Sequence, residues 1–135
     1  PGVRARRGDF ADWFAAALAV DVRVVDARTD EAWPAQGDVA GIVLTGSGSM
    51  VTDREPFSER ARERLAEWVG AGPPVLGVCY GHQLIAHALG GRVDWNPRGR
   101  EIGTIDVERH PAAADHPLFG VLPPRFAAQA SHRQS

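Results

Sequence analysis

The sequence predicts an α/β fold built on a mainly parallel sheet, and three observations carry that expectation. Short apolar, β-branched runs alternate with amphipathic stretches of helical period across residues 9–91. The runs are apolar throughout instead of alternating with polar residues, which is how strands covered on both faces read. Prolines and glycines fall at the boundaries, with Pro56, Pro73 and Pro74 around one helix and Gly90-Gly91 after another.

Taken in order, Asp9 is placed to cap a helix whose residues Phe10, Trp13, Phe14, Ala17 and Leu18 recur at helical spacing. A surface helix with one buried face is expected. Residues 22–25 and 41–45 (GIVLT) follow as two buried parallel strands bounded by turn-type residues. From Pro56, a favoured first-turn residue, the stripe Phe57, Ala61, Leu65, Trp68 and Val69 marks a second helix ending near Gly70 and Gly72. Residues 74–78 read as a third strand and 80–89 as a helix closed by Gly90-Gly91. Beyond Gly91 the signals weaken into short strands around 92–95, 103–108 and 125–129. There is no internal repeat and no low-complexity linker.

A length of 135 residues with 44% hydrophobic and 24% charged residues supports one core and is short for two. A single domain spanning 1–135 is expected. The start at Pro1 without a methionine, and the stop at Ser135 in a polar stretch, suggest that this domain is incomplete on both sides. The net charge of −2, with basic residues scattered and all 15 of them arginine, gives no footprint of a nucleic-acid binder. No stretch approaches the roughly 20 apolar residues of a membrane span. The amino end lacks the build of a signal peptide, so the cytoplasm is expected.

One cysteine cannot form an intrachain disulfide, and one cysteine with several histidines raises the question of a nucleophile. Gly77-Val78-Cys79-Tyr80-Gly81 sets that cysteine between a strand and a helix, with glycine two residues away on either side. This is the thiol version of a nucleophile elbow, whose sharp turn brings neighbouring backbone against the flanking positions. Such a turn lifts the sulfur above the carboxyl end of the sheet. It also sets the sulfur at a helix N-terminus, whose partial positive charge favours thiolate. The backbone N–H of Tyr80 can then point at the oxygen of a carbonyl under attack. A lone cysteine is otherwise a small buried hydrophobe. The flanking glycines argue against that reading, because a strained turn gains nothing in packing.

Residues 77–91, GVCYGHQLIAHALGG, resemble the nucleophile motif of class I glutamine amidotransferases, in particular free-standing domains of the GMP synthetase type. Residues 41–49 (GIVLTGSGS) are similar to that family's oxyanion loop, 96–103 (NPRGREIG) to the segment after the motif, and 130–132 (ASH) to its later Ser-His element. The resemblance implies a three-layer, flavodoxin-like fold with helices on both faces of the sheet. It implies that Cys79 attacks the side-chain amide of glutamine and forms a γ-glutamyl thioester that water hydrolyses, releasing ammonia. Tyr80 and the Gly46-Ser47 loop would supply oxyanion N–H groups, with Ser47 standing where many relatives carry a second glycine. Gln83 would hold the substrate, and Ser131 and His132 would contact its amino-acid head group. Neither a cofactor nor a metal is implied; the implied partners are glutamine or another γ-glutamyl compound and a separate synthetase subunit.

The family's base is a histidine of a downstream His-Pro-Glu element. Here His110-Pro111 precedes Ala112 and His116-Pro117 precedes Leu118, so both read as loop histidines and the catalytic His and Glu are expected outside this chain. His132 is assigned to the substrate side, His82 and His87 to packing or support of the site, and Asp115 and Glu101 carry no triad signal. Thr45-Gly-Ser-Gly-Ser49 could also be read as a phosphate cradle, but Val51 stands where a dinucleotide fingerprint needs glycine, and no P-loop Gly-Lys follows. Two rival readings stand beside the amidotransferase: a γ-glutamyl peptidase using the same thioester, and a degenerate domain that binds or regulates a partner.

Overall fold

The computed structural model describes residues 3–29 and 31–135, so Pro1 lies outside the described residues. The chain divides into two compact units, residues 1–94 and residues 95–135.

The first unit holds α1 (Val3–Arg7), α2 (Phe10–Leu18), β1 (Ile42–Leu44), α3 (Pro56–Ala71), β2 (Val75–Gly77) and α4 (Tyr80–Ala88). β1 and β2 pair in parallel with Ile42 opposite Val75 and Leu44 opposite Gly77. Bonds from Ile42 N–H to the Pro74 carbonyl and from Val78 N–H to the Leu44 carbonyl, both 2.9 Å, extend the pairing by one step at each end. The connection between these strands runs through α3, as a parallel pair requires.

α3 forms where the apolar stripe predicts it, with Pro56 in its first turn. It buries Ala61, Leu65 and Trp68. Ala61 and Leu65 join Val51, Tyr80 and Leu84 in the core of this unit, with Leu44, Phe57 and Val75 packed at its margin. Trp33 meets Trp68 edge to face at 6.0 Å, a favoured aromatic arrangement.

Three expectations for this unit fail. Residues 22–25 form no strand, and Val22 and Val24 are exposed. A β-branched run becomes a strand only when another strand offers it a ladder, and among the described residues none does. α2 has its expected cap, with the Asp9 carboxylate accepting from Phe10 N–H at 2.7 Å and Asp12 accepting from Asp9 N–H at 2.8 Å. Its stripe nevertheless buries no residue, and Phe10 and Trp13 stand exposed. β1 and β2 are likewise half-buried rather than buried, as strands with a single ladder partner each among the described residues.

The second unit is an antiparallel pair, β3 (Glu101–Glu108) and β4 (Arg125–His132), with Glu101 opposite His132 and Glu108 opposite Arg125. Both strands outrun the expected segments. Their burial alternates strictly, so Gly103, Ile105 and Val107 share the more buried face with Phe126, Ala128 and Ala130. The strand expected at 92–95 is absent apart from a bridge between Trp95 and Gln134. No helix among the described residues is long and apolar enough to cross a membrane.

Candidate functional site

The site is built on the turn from β2 into α4. After Gly77 the chain reaches Cys79, whose backbone takes φ +54° and ψ −112° as the residue before the helix. Such a conformation costs a non-glycine residue about 1–3 kcal/mol and persists only where its surroundings impose it. The surroundings are visible. A Cβ on Gly77 would stand 2.5 Å from the His82 nitrogen and 2.6 Å from the Gly81 carbonyl carbon. One on Gly81 would run into the Leu44 carbonyl oxygen and lie 2.6 Å from the Leu44 Cβ. Both glycines are therefore required by close approach, as the sequence predicts. The N–H of Gly81 bonds the Val78 carbonyl at 3.1 Å and that of Gln83 bonds the Cys79 carbonyl at 3.1 Å, closing the first turn. Cys79 itself is exposed.

The loop after β1 reaches the same place. A Cβ on Gly46 would lie 3.8 Å from the Cys79 Cβ, so the Gly46-Ser47 segment borders the elbow. The Ser47 hydroxyl accepts the Ser49 N–H at 3.1 Å, and the Thr45 hydroxyl donates to the Gly46 carbonyl at 3.3 Å. Ser47 thus stabilises the turn with its side chain, a bond no second glycine could make.

Tyr80 and Gln83 sit on α4, where both are buried while Cys79 is not. The Tyr80 hydroxyl donates to the Ser58 hydroxyl oxygen at 2.7 Å. Ser58 lies on α3 and is fully buried. Burial pushes the Tyr80 hydroxyl's pKa above the ordinary tyrosine value, against the Ser58 bond and with the repulsion of Glu55 and Glu59. Sequence reasoning missed Ser58. The available signal was a polar residue one helical step before Ala61 in the buried stripe 58, 61, 65 and 68.

Among the remaining histidines, His87 lies 3.6 Å from Glu59 across α3 and α4, a supporting position of the kind the sequence suggests. His82 is exposed on the first turn of α4. The Nδ1 atoms of His110 and His116 accept backbone N–H groups of Ala112 and Leu118 at 3.2 Å each, so both rings brace their own turns. Asp115 is exposed between them.

In the second unit Ser131 and His132 are adjacent, so their side chains leave opposite faces of β4. His132 Nε2 lies 2.9 Å from a Glu101 carboxylate oxygen across the ladder. Glu101 thereby gains a partner that the sequence did not suggest. No group of three or more His, Cys, Asp or Glu side chains among the described residues is placed to hold a metal ion.

Comparison with known proteins matches residues 14–135 to the model of the family "Glutamine amidotransferase class-I". The chain is 46% identical over 93 residues to the glutamine-hydrolyzing GMP synthase of Thermomicrobium roseum, covering 68% of this chain and 16% of that protein. It is 36% identical over 113 residues to a glutamine-hydrolyzing GMP synthase subunit of Halobacterium salinarum, covering 84% of this chain and 55% of that protein. The corresponding subunit of Methanopyrus kandleri is 39% identical over 98 residues, with coverages of 70% and 46%. The chain therefore spans little more than half of these relatives at most. Two solved structures share its fold. A glutamine amidotransferase from Thermotoga maritima aligns with TM-score 0.78 and 22% identity over 93% of this chain and 54% of that one. One from Methylobacillus flagellatus aligns with TM-score 0.75 and 26% identity over 93% and 50%. The expected α/β class, a parallel sheet with helices of the flavodoxin-like kind, is the class of these structures.

Proposed function

The chain belongs to the class I glutamine amidotransferase family, and from that premise we propose that it carries the nucleophile of a glutamine-hydrolysing site, with Cys79 in that role. The Cys79 sulfur attacks the side-chain amide carbon of glutamine. The oxygen then bears the negative charge until the C–N bond breaks and ammonia leaves with a proton, giving a γ-glutamyl thioester. Water adds to the thioester, and glutamate and the Cys79 thiol are regenerated. Charge on the oxygen is met by the Tyr80 N–H, one of the first amides of α4, which have no acceptor within their own helix. The Gly46-Ser47 loop supplies the other donor.

Gln83, one helical turn after Cys79, holds the substrate side chain. Ser131 and His132 contact the head group, and their opposite faces mean that at most one of them does so through its side chain. The base is assigned to no histidine of this chain; a His-Pro-Glu element elsewhere in the full-length protein would supply it. Because two relatives are named as one subunit of a GMP synthase, we extend to this chain a partner of the same kind, in which a separate synthetase subunit consumes the ammonia.

The observation that supports this reading most is the backbone of Cys79, held at positive φ on an exposed turn between two glycines that admit no side chain. Strain kept at an exposed thiol has no packing rationale. The test offers the full-length protein glutamine and a γ-glutamyl dipeptide, while a chloroketone analogue of glutamine is used to label the thiol. We expect ammonia from glutamine, labelling at Cys79, and loss of both in Cys79→Ala by at least about a thousandfold. Turnover that survives this substitution refutes the mechanism, and turnover of the dipeptide alone refutes the amidotransferase assignment in favour of a peptidase.

A further inference from the structure

We infer that Ser58 is a positioning residue for the proposed oxyanion site, acting through the side chain of Tyr80. The inference rests on the reading of Cys79 and the Tyr80 amide given above, and deepens it. Tyr80 is joined directly to the strained Cys79, so its Cα and its N–H are set by the same turn. Its side chain is 6% exposed and runs into the core beside Phe57, with ring centroids 6.5 Å apart. At the far end of that ring the hydroxyl meets Ser58, itself 0% exposed, at 2.7 Å.

Packing alone does not account for this pair. A buried hydroxyl without a partner is costly, and phenylalanine would fill the same space with no polar atom to satisfy. The bond instead fixes the ring against a helix that arrives 22 residues earlier in the chain. Rotation of Tyr80 about its Cα, the motion that would swing its N–H away from a carbonyl oxygen beside Cys79, is thereby opposed from inside the core. Oxyanion donors act through such fixed aim, and small misplacements are expensive in rate.

The experiment compares Ser58→Ala, Tyr80→Phe and the double variant with wild type, all in the full-length protein. Four quantities are read: kcat and KM for glutamine, the rate at which the chloroketone labels Cys79, and the affinity for the γ-aldehyde analogue of glutamine. That aldehyde adds the Cys79 sulfur and places an oxyanion in the same donors. Each single variant should lose roughly tenfold in kcat, the size of one net hydrogen bond, and the double variant no more than the worse single. KM should stay within about twofold and chloroketone labelling should stay at wild-type rate, while aldehyde affinity falls in step with kcat. If Ser58→Ala does not fold, Tyr80→Phe decides alone, since it keeps the ring.

Wild-type kcat in folded Tyr80→Phe, or a kcat loss without a matching loss of aldehyde affinity, overturns the inference while leaving Cys79 as nucleophile. Activity that survives Cys79→Ala overturns the parent reading and this one with it.

Discussion

At the scale of single residues, Cys79 carries a conflict between conformation and chemistry. Its φ of +54° suits glycine, yet a side chain is there. Cys79→Gly should relieve that strain, while Cys79→Ala should keep it, since alanine also has a Cβ. We expect Cys79→Gly to be more stable than Cys79→Ala by about 1 kcal/mol in urea denaturation, although both are inactive. Equal stability of the two variants would show that the turn is not strained. The elbow was legible because the residues that make it lie together in the sequence: Gly77, Cys79 and Gly81 fall within five positions, and their spacing signals a close approach, although the backbone that Gly81 meets is that of Leu44 on β1. The Ser58–Tyr80 bond was not legible in the same way, because nothing in either local sequence states that the two hydroxyls meet.

At the scale of elements, α3 and α4 are joined through Glu59. Burial pushes its carboxyl pKa up, but the Arg62 hydrogen bond at 2.9 Å and the charges of Arg54, Arg62 and His87 outweigh burial and hold it below the ordinary glutamate value. A depressed carboxyl stabilises the fold above the unfolded-state value near 4.5, and that contribution is lost as pH falls through the lower folded value. Wild type should therefore lose more stability than Glu59→Gln between about pH 5 and pH 3, read as urea midpoints at a series of pH values. A parallel decline in both proteins would remove Glu59 from the account. Helices such as α3 were readable because a 3.6-residue stripe is a property of the segment itself. Strands are properties of pairs, so residues 22–25 looked like β1 in composition and yet form no strand.

At the scale of the whole molecule, the proposed chemistry needs a base that can take and return a proton, and the five histidines can be taken in turn. His110 and His116 spend Nδ1 on their own turns, His87 faces Glu59, and His82 is exposed on the first turn of α4. His132 differs from these four. Its Nε2 lies 2.9 Å from the Glu101 carboxylate, the pairing of a base with an orienting carboxylate. The function proposed above places it instead at the substrate's head group. These assignments predict that the 135-residue chain alone, shown to be folded by circular dichroism, releases no ammonia from glutamine above a blank. Its Cys79 should nevertheless be alkylated by iodoacetamide, since the thiol is exposed. Glutamine turnover by the chain alone that disappears in Cys79→Ala would mean that the base lies within it, and its further loss in His132→Ala, but not in His82→Ala, would transfer that role to the histidine held by Glu101.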